Sequence, residues 1–278
     1  FSKSMIQNTL TCLQGAMNYA ILPLKYIQAN PCVAVKIGKM PMDMTAKAHT
    51  EYICSAEEFN QILKRFPADN CFHLSLVVPY NTGTRIGETF AIDLSQDVDF
   101  EKHELRIHGQ MQKVEKTWYI KPPKYDSYRT IKMGETLEKE LKFAIQQRRI
   151  NKLKYGGAYS KTYLLPDRSI AQIRADIDVP YKEILPLCVK ENGALLTPDS
   201  FKYCARIIHY ELNNPLFHAH CLRHTHGTIL AENGVNPKTV MERLGHKDIT
   251  TTLQTYTFNT DAMQQTAVDV FENAIQTQ

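Results

Sequence analysis

His220–Tyr256 reads HCLRHTHGTILAENGVNPKTVMERLGHKDITTTLQTY, and its punctuation dictates most of the local structure. Asn236-Pro237 is a helix-opening device: a side chain that caps free N–H groups, followed by a proline that needs no N–H of its own. Val240, Met241 and Leu244 follow at helical spacing, and Gly245 stands where a C-terminal cap belongs. Upstream, His220 and Arg223 lie three apart. On a helix this puts an imidazole and a guanidinium on one face, able to touch one anion together, while His224 and His226 point elsewhere. His246 follows the capping glycine, so its ring emerges at a helix terminus. Asp248 caps the next short helix, with Tyr256 on it or just beyond.

Working outward, Thr197-Pro198 repeats the opening device ahead of a stripe of Phe201, Ala205, Ile208 and Leu212. Ser55 with Glu58 forms a capping box before Phe59, Ile62, Leu63 and Phe66. Cys71–Pro79 reads as a buried helix, Asn81-Thr82-Gly83 as a turn, Arg85–Asp93 as a short helix and Leu137–Tyr155 as a long one. Between these the period changes. Glu104–His108, Lys116–Lys121 and Tyr128–Met133 are short, β-branched and aromatic, and predict a small antiparallel sheet. Residues 156–196 are irregular apart from a hairpin around Asn192-Gly193.

At the N-terminal end, Ser4 caps a helix carrying Ile6, Leu10, Leu13 and Met17. Pro23 starts or bends a second short helix that Asn30-Pro31 ends. Residues 32–52 lack helical periodicity, contain Pro41 and read as a linker. A last helix from about Asp261 places Met263, Val268, Phe271 and Ile275 on one stripe, packed on its own core or on a neighbour. The expectation is an α+β, mainly helical fold: one large domain and a smaller helical piece.

Composition narrows the function classes. The 278 residues are 43% apolar and 22% charged, and no stretch approaches the roughly 18 apolar residues of a membrane span. FSKSMIQNTLTCLQ has no basic n-region followed by an apolar core, so a cytoplasmic location is the default. Seven cysteines without a CxxC or paired Cys/His spacing argue against a zinc site and a disulfide framework. A net charge of +4 is compatible with nucleic acid, and basic residues recur along Lys113–Arg129 and Lys132–Lys154.

Two further cations complete a set. Arg85 follows Thr82-Gly83 at a helix start, where backbone donors also favour an anion. Lys124 follows Pro122-Pro123 in the loop between two strands, with Lys121 as its rival. Singly, each of these residues has an ordinary reading: a capping histidine, a salt-bridged arginine, a solvated lysine, one of 14 tyrosines. Together, Arg85, Lys124, His220, Arg223, His246 and Tyr256 supply three fixed cations, two imidazoles and a phenol. That inventory suits attack on a phosphodiester without a metal ion. Cations neutralise the phosphoryl oxygens and the phenol becomes the covalent link.

TGTRIGE (82–88), PPKYDSYRTI (122–131), HCLRHTHGTIL (220–230) and NPKTVMERLGHKDITTTLQTY (236–256) resemble the motif boxes of the tyrosine recombinase (phage integrase) family. The resemblance covers residues 55 to 260, and RHTHGTILAENGVNPKTVMERLGH looks most like integrases of phages and conjugative transposons of Gram-positive bacteria. It implies that Tyr256 is the nucleophile, forming a 3′-phosphotyrosyl link, and that Arg85, Arg223 and His246 bind the phosphate. It further implies that Lys124 protonates the leaving 5′-oxygen and His220 helps to deprotonate the phenol. Lys124 is followed by Tyr125 rather than the family's common Thr or Ser.

The family resemblance also implies a domain plan. Residues 1–35 are the C-terminal part of a helical core-binding domain, 36–52 a linker, 53–258 the catalytic domain, and 259–278 a C-terminal helix open to exchange between protomers. Further core-binding helices are then expected ahead of residue 1. Implied partners are double-stranded DNA at element ends and target sites, a homotetramer on DNA, and excisionase-type and DNA-bending accessory proteins. No cofactor and no membrane partner are implied. A single-subunit type IB topoisomerase and a DNA-binding repressor or accessory factor are the rival readings, and only the latter has no use for Tyr256.

Overall fold

In the computed structural model, residues 3–38 and 52–247 are described, together with the helical residues Val268 and Glu272. Tyr256, Asp248 and the C-terminal stripe apart from Val268 lie outside the described residues. The chain divides into two compact units, residues 1–50 and 51–278.

In the first unit α1 spans Lys3–Ile21, so Ser4 falls inside the helix and not at the expected cap position. Among the described residues 22–38 no second helix follows. Residues 22–24 turn, because Pro23 has no N–H to continue the ladder, and the chain folds back along α1. Asn30 fastens it there, donating to Gln14 O (3.2 Å) and Asn18 Oδ1 (2.6 Å), while Gln14 donates to Cys32 O at 3.1 Å. Side-chain bonds to the helix backbone replace the expected helical turn.

The second unit opens with α2 (Ala56–Arg65). Its capping box forms as expected, Ser55 Oγ accepting from Glu58 N and Glu58 Oε2 from Ser55 N. The next helix, α3 (His73–Thr82), buries Leu74, Leu76, Val77 and Val78 on all sides. It runs through Pro79 instead of ending there, and the reversal falls on Gly83 alone, at φ 69°. After it comes α4 (Ile86–Ala91), with Arg85 at its cap position.

The single predicted sheet is two. β1 (Val98–Asp99), β2 (Glu104–Ile107) and β5 (Arg129–Lys132) pair in the order β1-β2-β5, all antiparallel. Leu105, Ile107 and Ile131 turn inward, a period of two. Lys116–Lys121 belongs elsewhere. β3 (Gln110–Val114) and β4 (Thr117–Lys121) form their own hairpin, closed by a two-residue turn with Glu115 at φ 54°.

Beyond α5 (Glu135–Tyr155), the segment expected to be irregular holds a third sheet. β6 (Ser160–Leu164), β7 (Ile170–Arg174) and β8 (Lys182–Ile184) run in the order β7-β6-β8. Asn192-Gly193 does make a tight turn, with Val189 bridged to Leu195. Three further helices follow among residues 52–247: α6 (Pro198–Glu211), α7 (Ala219–Glu232) and α8 (Pro237–Leu244). α8 is capped by Asn236 and ended by Gly245 at φ 69°, as its sequence predicts. α3 packs on both α4 and α7, and α8 on α7 and β5, around a core that includes Phe66, Phe90, Leu105, Phe201 and Phe217. All seven cysteines are free. Burial pushes the Cys204 and Cys221 thiols up to about 12, so these behave as packing residues.

Candidate active site

The site is built on two helix ends that finish in left-handed glycines, Gly83 after α3 and Gly245 after α8. Arg223, in the first half of α7 and 2% exposed, donates from Nη1 to Gly83 O at 2.8 Å and to Leu244 O at 2.7 Å. Helix C-termini carry unsatisfied carbonyls and partial negative charge, so a guanidinium is well placed between two of them. Gly83 must be glycine for this approach. A Cβ there would lie 2.3 Å from Leu244 Cδ2, besides the strain of positive φ.

Arg85 reaches the same place from the cap of α4. Its Nη2 donates to Gly245 O (3.0 Å) and its Nη1 to Glu88 Oε1 (2.8 Å), while Glu88 Oε2 accepts from Arg85 N (2.9 Å). Glu88 is 1% exposed. Burial alone would raise its carboxyl, but hydrogen bonds and charge from Arg129 and Arg85 outweigh this and hold it below the usual carboxylate range.

His220 sits one turn before Arg223, at the exposed start of α7, and His224 packs edge-on against its ring with centroids 4.5 Å apart. His224 therefore buttresses the site instead of pointing away from it. The side of the His220 ring covered by protein, together with His224, Arg223 and Arg85, pushes its pKa down to about 3. Burial, then Arg223 and Arg85, pushes His246 down to about 4. Both imidazoles are neutral at physiological pH.

Arg85, Lys124, His220, Arg223 and His246 line one open cleft of about 420 Å³ together with Tyr125 and Lys247. Five of the six sequence-predicted residues thus converge, from four separate stretches of chain. Tyr256 lies outside the described residues. Lys124 stands in a turn between β4 and β5 with its ammonium 5.0 Å from the Tyr125 ring centroid, and Tyr125 adopts φ 63°. Lys121, the rival, does not line the cleft. Its ammonium lies 5.9 Å from the Tyr119 ring centroid.

Sequence reasoning missed the residues behind the cleft. Glu88, Arg129 and Arg243 carry much of the scaffold, and all three stand inside quoted motif boxes: Glu88 and Arg129 three and five residues beyond Arg85 and Lys124, and Arg243 three residues before His246. Arg243 donates to Asn81 O (3.1 Å), Lys132 O (3.1 Å) and His226 Nε2 (3.0 Å). His226 holds Tyr80 O at 2.9 Å through Nδ1. With Nε2 accepting, the ring is the neutral Nδ1–H tautomer. Burial, and then Arg243, pushes its pKa down to about 4. Among the described residues no group of three His, Cys, Asp or Glu is arranged to hold a metal ion. No described helix is long and apolar enough to cross a membrane.

Chemically, this is a cationic cleft with two neutral imidazoles, suited to gather and polarise a phosphodiester. Known proteins resemble the chain in sequence and in fold. A tyrosine recombinase XerC-like protein of Caldanaerobacter subterraneus subsp. tengcongensis is 27% identical over 271 residues, covering 94% of this chain and 64% of the relative. The transposase of transposon Tn916 from Enterococcus faecalis is 26% identical over 231 residues, covering 79% and 52%. The chain therefore spans about half to two thirds of these relatives' lengths. Among solved structures, the Tn1549 transposon integrase in complex with circular intermediate DNA superposes with a TM-score of 0.65 at 22% identity, covering 96% of this chain and 79% of that one. The fold is that of a tyrosine recombinase catalytic domain, mainly helical with small antiparallel sheets. The profile of the phage integrase family matches residues 54–263, a stretch that contains every residue of the cleft, and the chain belongs to that family.

Proposed function

We propose that this protein is a site-specific DNA recombinase that integrates and excises a mobile element through a 3′-phosphotyrosyl intermediate. The observation that carries the reading is the convergence of Arg85, Lys124, His220, Arg223 and His246 on one cleft. DNA as substrate is supported by the Tn1549 integrase structures, which are complexes with circular intermediate DNA and with transposon right end DNA.

Each residue has a task. Tyr256 Oη attacks the scissile phosphorus while the P–O5′ bond breaks. The phenol's proton passes to neutral His220, and Lys124 gives a proton to the departing 5′-oxygen. A free phenol has a pKa of about 10, so the base and the positive field are both needed near neutral pH. Arg85 and Arg223 stabilise the charge that builds on the non-bridging oxygens, each with part of its guanidinium already spent on helix-end carbonyls and therefore fixed. His246 hydrogen-bonds the same phosphate. One phosphodiester replaces another, so the exchange runs without ATP.

The domain plan follows the same reading. Residues 1–35 end a core-binding domain, 36–52 link it to the catalytic domain 53–258, and 259–278, mostly outside the described residues, are open to exchange between protomers of a DNA-bound tetramer. Excisionase-type and DNA-bending proteins assist it in the bacterial cytoplasm at the nucleoid. A labelled duplex with the element's end, nicked near the cleavage point so that the released fragment diffuses away, tests the activity. An SDS-resistant adduct formed by wild type and lost in Tyr256→Phe is the expected result. Binding by both proteins with an adduct from neither would leave a DNA-binding accessory factor as the function.

A further inference from the structure

We propose that Arg129 is a positioning residue of the cleft: it braces both anchors of the Arg85 guanidinium and leaves the group of Arg85, Glu88 and Arg129 with a net positive charge toward a bound phosphate. The inference rests on the strand-cleavage reading above and extends it to a residue outside the cleft lining.

Arg129 opens β5 with a side chain 8% exposed, and it spends its fork on protein groups. Nη2 donates to Glu88 Oε2 at 2.7 Å and Nη1 to Glu88 Oε1 at 3.2 Å. Nη1 also donates to Ser127 O (3.1 Å), and Nε donates to Arg243 O (2.9 Å). Each partner leads to the cleft. Glu88 is the anchor of Arg85 Nη1. Arg243 lies two residues before Gly245, whose carbonyl anchors Arg85 Nη2. Ser127 closes the turn that carries Lys124, its hydroxyl donating to Lys124 O at 2.9 Å. Gly245 is shaped for this guanidinium, since a Cβ there would meet Arg129 Nη1 at 2.8 Å.

Charge makes a second argument. Glu88 alone beside Arg85 would be a buried one-to-one ion pair, with little positive field left for a phosphate. The arrangement has one carboxylate between two guanidiniums, leaving one positive charge in excess on the three side chains. A fork also matters here. A lysine brings the charge but cannot span the Glu88 carboxylate and the Arg243 carbonyl together.

The test compares wild type, Arg129→Met, Arg129→Lys, Arg85→Ala and the Arg85→Ala/Arg129→Met double variant, all as the full chain. DNA binding is read by anisotropy and single-turnover adduct formation on the nicked duplex. We expect Arg129→Met to bind within about threefold of wild type yet cleave about 100-fold more slowly, the scale of one lost oxyanion donor. Arg129→Lys should recover only part of that loss. In the Arg85→Ala background the Arg129→Met change should cost under about threefold, because it acts through Arg85. Equal penalties in both backgrounds, or parallel losses of binding and cleavage, would show a merely structural arginine and overturn the proposal. If Arg129→Met fails to fold, the same comparisons are made with Arg129→Lys. An activity-independent reading uses ¹⁵N relaxation of the Arg85 Nε–H: ordered in wild type and mobile in the Arg129 variant is the expectation. An unchanged signal refutes positioning even if wild type never cleaves, an outcome that would sink the recombinase reading by itself.

Discussion

The carbonyl of Gly83 and the guanidinium of Arg223 meet at 2.8 Å across 140 residues of sequence. The bond ties the C-terminus of α3 to α7, and the same Nη1 also holds Leu244 at the end of α8. Arg223 is thus a structural bolt and a cleft cation at once. Arg223→Ala should lower single-turnover cleavage by at least about 10²–10³-fold, the loss of one preorganised donor, while weakening DNA binding modestly. Arg223→Lys should do little better, since a compact ammonium lacks the planar fork that holds both carbonyls through one nitrogen and can face a phosphate with another. Cleavage equal to wild type in either variant would remove Arg223 from the site.

Gly83 supplies a stability prediction with a built-in control. Gly83→Ala must accept φ 69° and a Cβ within 2.3 Å of Leu244 Cδ2. Gly234 has the same φ but open space around it, so Gly234→Ala isolates the conformational cost. We expect about 1 kcal/mol for Gly234→Ala and about 2 kcal/mol more for Gly83→Ala, through strain and overpacking. Urea unfolding midpoints separate them, and equal losses would mean that α3 and α8 move apart freely.

Acid should unfold this protein earlier than its carboxylates require. His224 and His226 are buried, and burial followed by Arg223 or Arg243 respectively pushes each pKa down to about 4. An unfolded histidine titrates near 6.5. Below that value the unfolded chain takes up protons that the folded chain refuses, so stability is complete above about 6.5 and declines toward about 4. Each such histidine adds a slope of about 1.4 kcal/mol per pH unit inside the window. Glu88, held low by its arginines, does not contribute until greater acidity. Urea midpoints taken from neutral pH down to the acid side check this. A flat response across the upper half of the window would mean that the rings are already charged in the fold.

The part of this architecture legible in the sequence is the part written in local chemistry. Asn236-Pro237 with Gly245, and Ser55 with Glu58, each specify a helix end within a dozen residues, and both formed as read. The strands after α5 escaped notice because β6 and β7 are joined through Asp167-Arg168-Ser169, where a non-glycine, Arg168, takes φ 67°. β3 escaped because Gln110, Gln112 and Lys113 dilute its alternation. The cleft cations were legible through their motif boxes, whereas Glu88 and Arg129 meet across 41 positions, and no local period records such a pairing. His224 was misread for a related reason. Helical spacing gives the direction in which a side chain leaves its helix, not the ring that it meets.

DNA affinity should fall steeply with salt. The cleft presents Arg85, Lys124, Arg223 and Lys247, and each phosphate neutralised releases condensed counterions. A duplex contacted at six to ten phosphates would lose about 10³–10⁵ in affinity between 50 and 200 mM salt. Anisotropy titrations at several salt concentrations measure the slope, and a flat one would mean that phosphates are not the principal contact.

Lys124 and Lys121 are separated by what each ammonium is near. Lys124 lines the cleft with Arg85 and Arg223, while Lys121 extends over Tyr119 at the end of β4. A general acid matters only when the leaving group is a poor one. An alkoxide leaving group needs a proton, whereas a thiolate, with a thiol pKa of about 8.5, departs without one. Lys124→Ala should therefore cut cleavage of an ordinary duplex by about 10²–10⁴-fold and be restored by a substrate with sulfur at the bridging 5′ position. Lys121→Ala should stay within a few-fold of wild type on both substrates. Loss on the ordinary duplex without rescue by sulfur would make Lys124 a phosphate ligand instead of the acid, and loss with rescue in Lys121→Ala would move the role to Lys121.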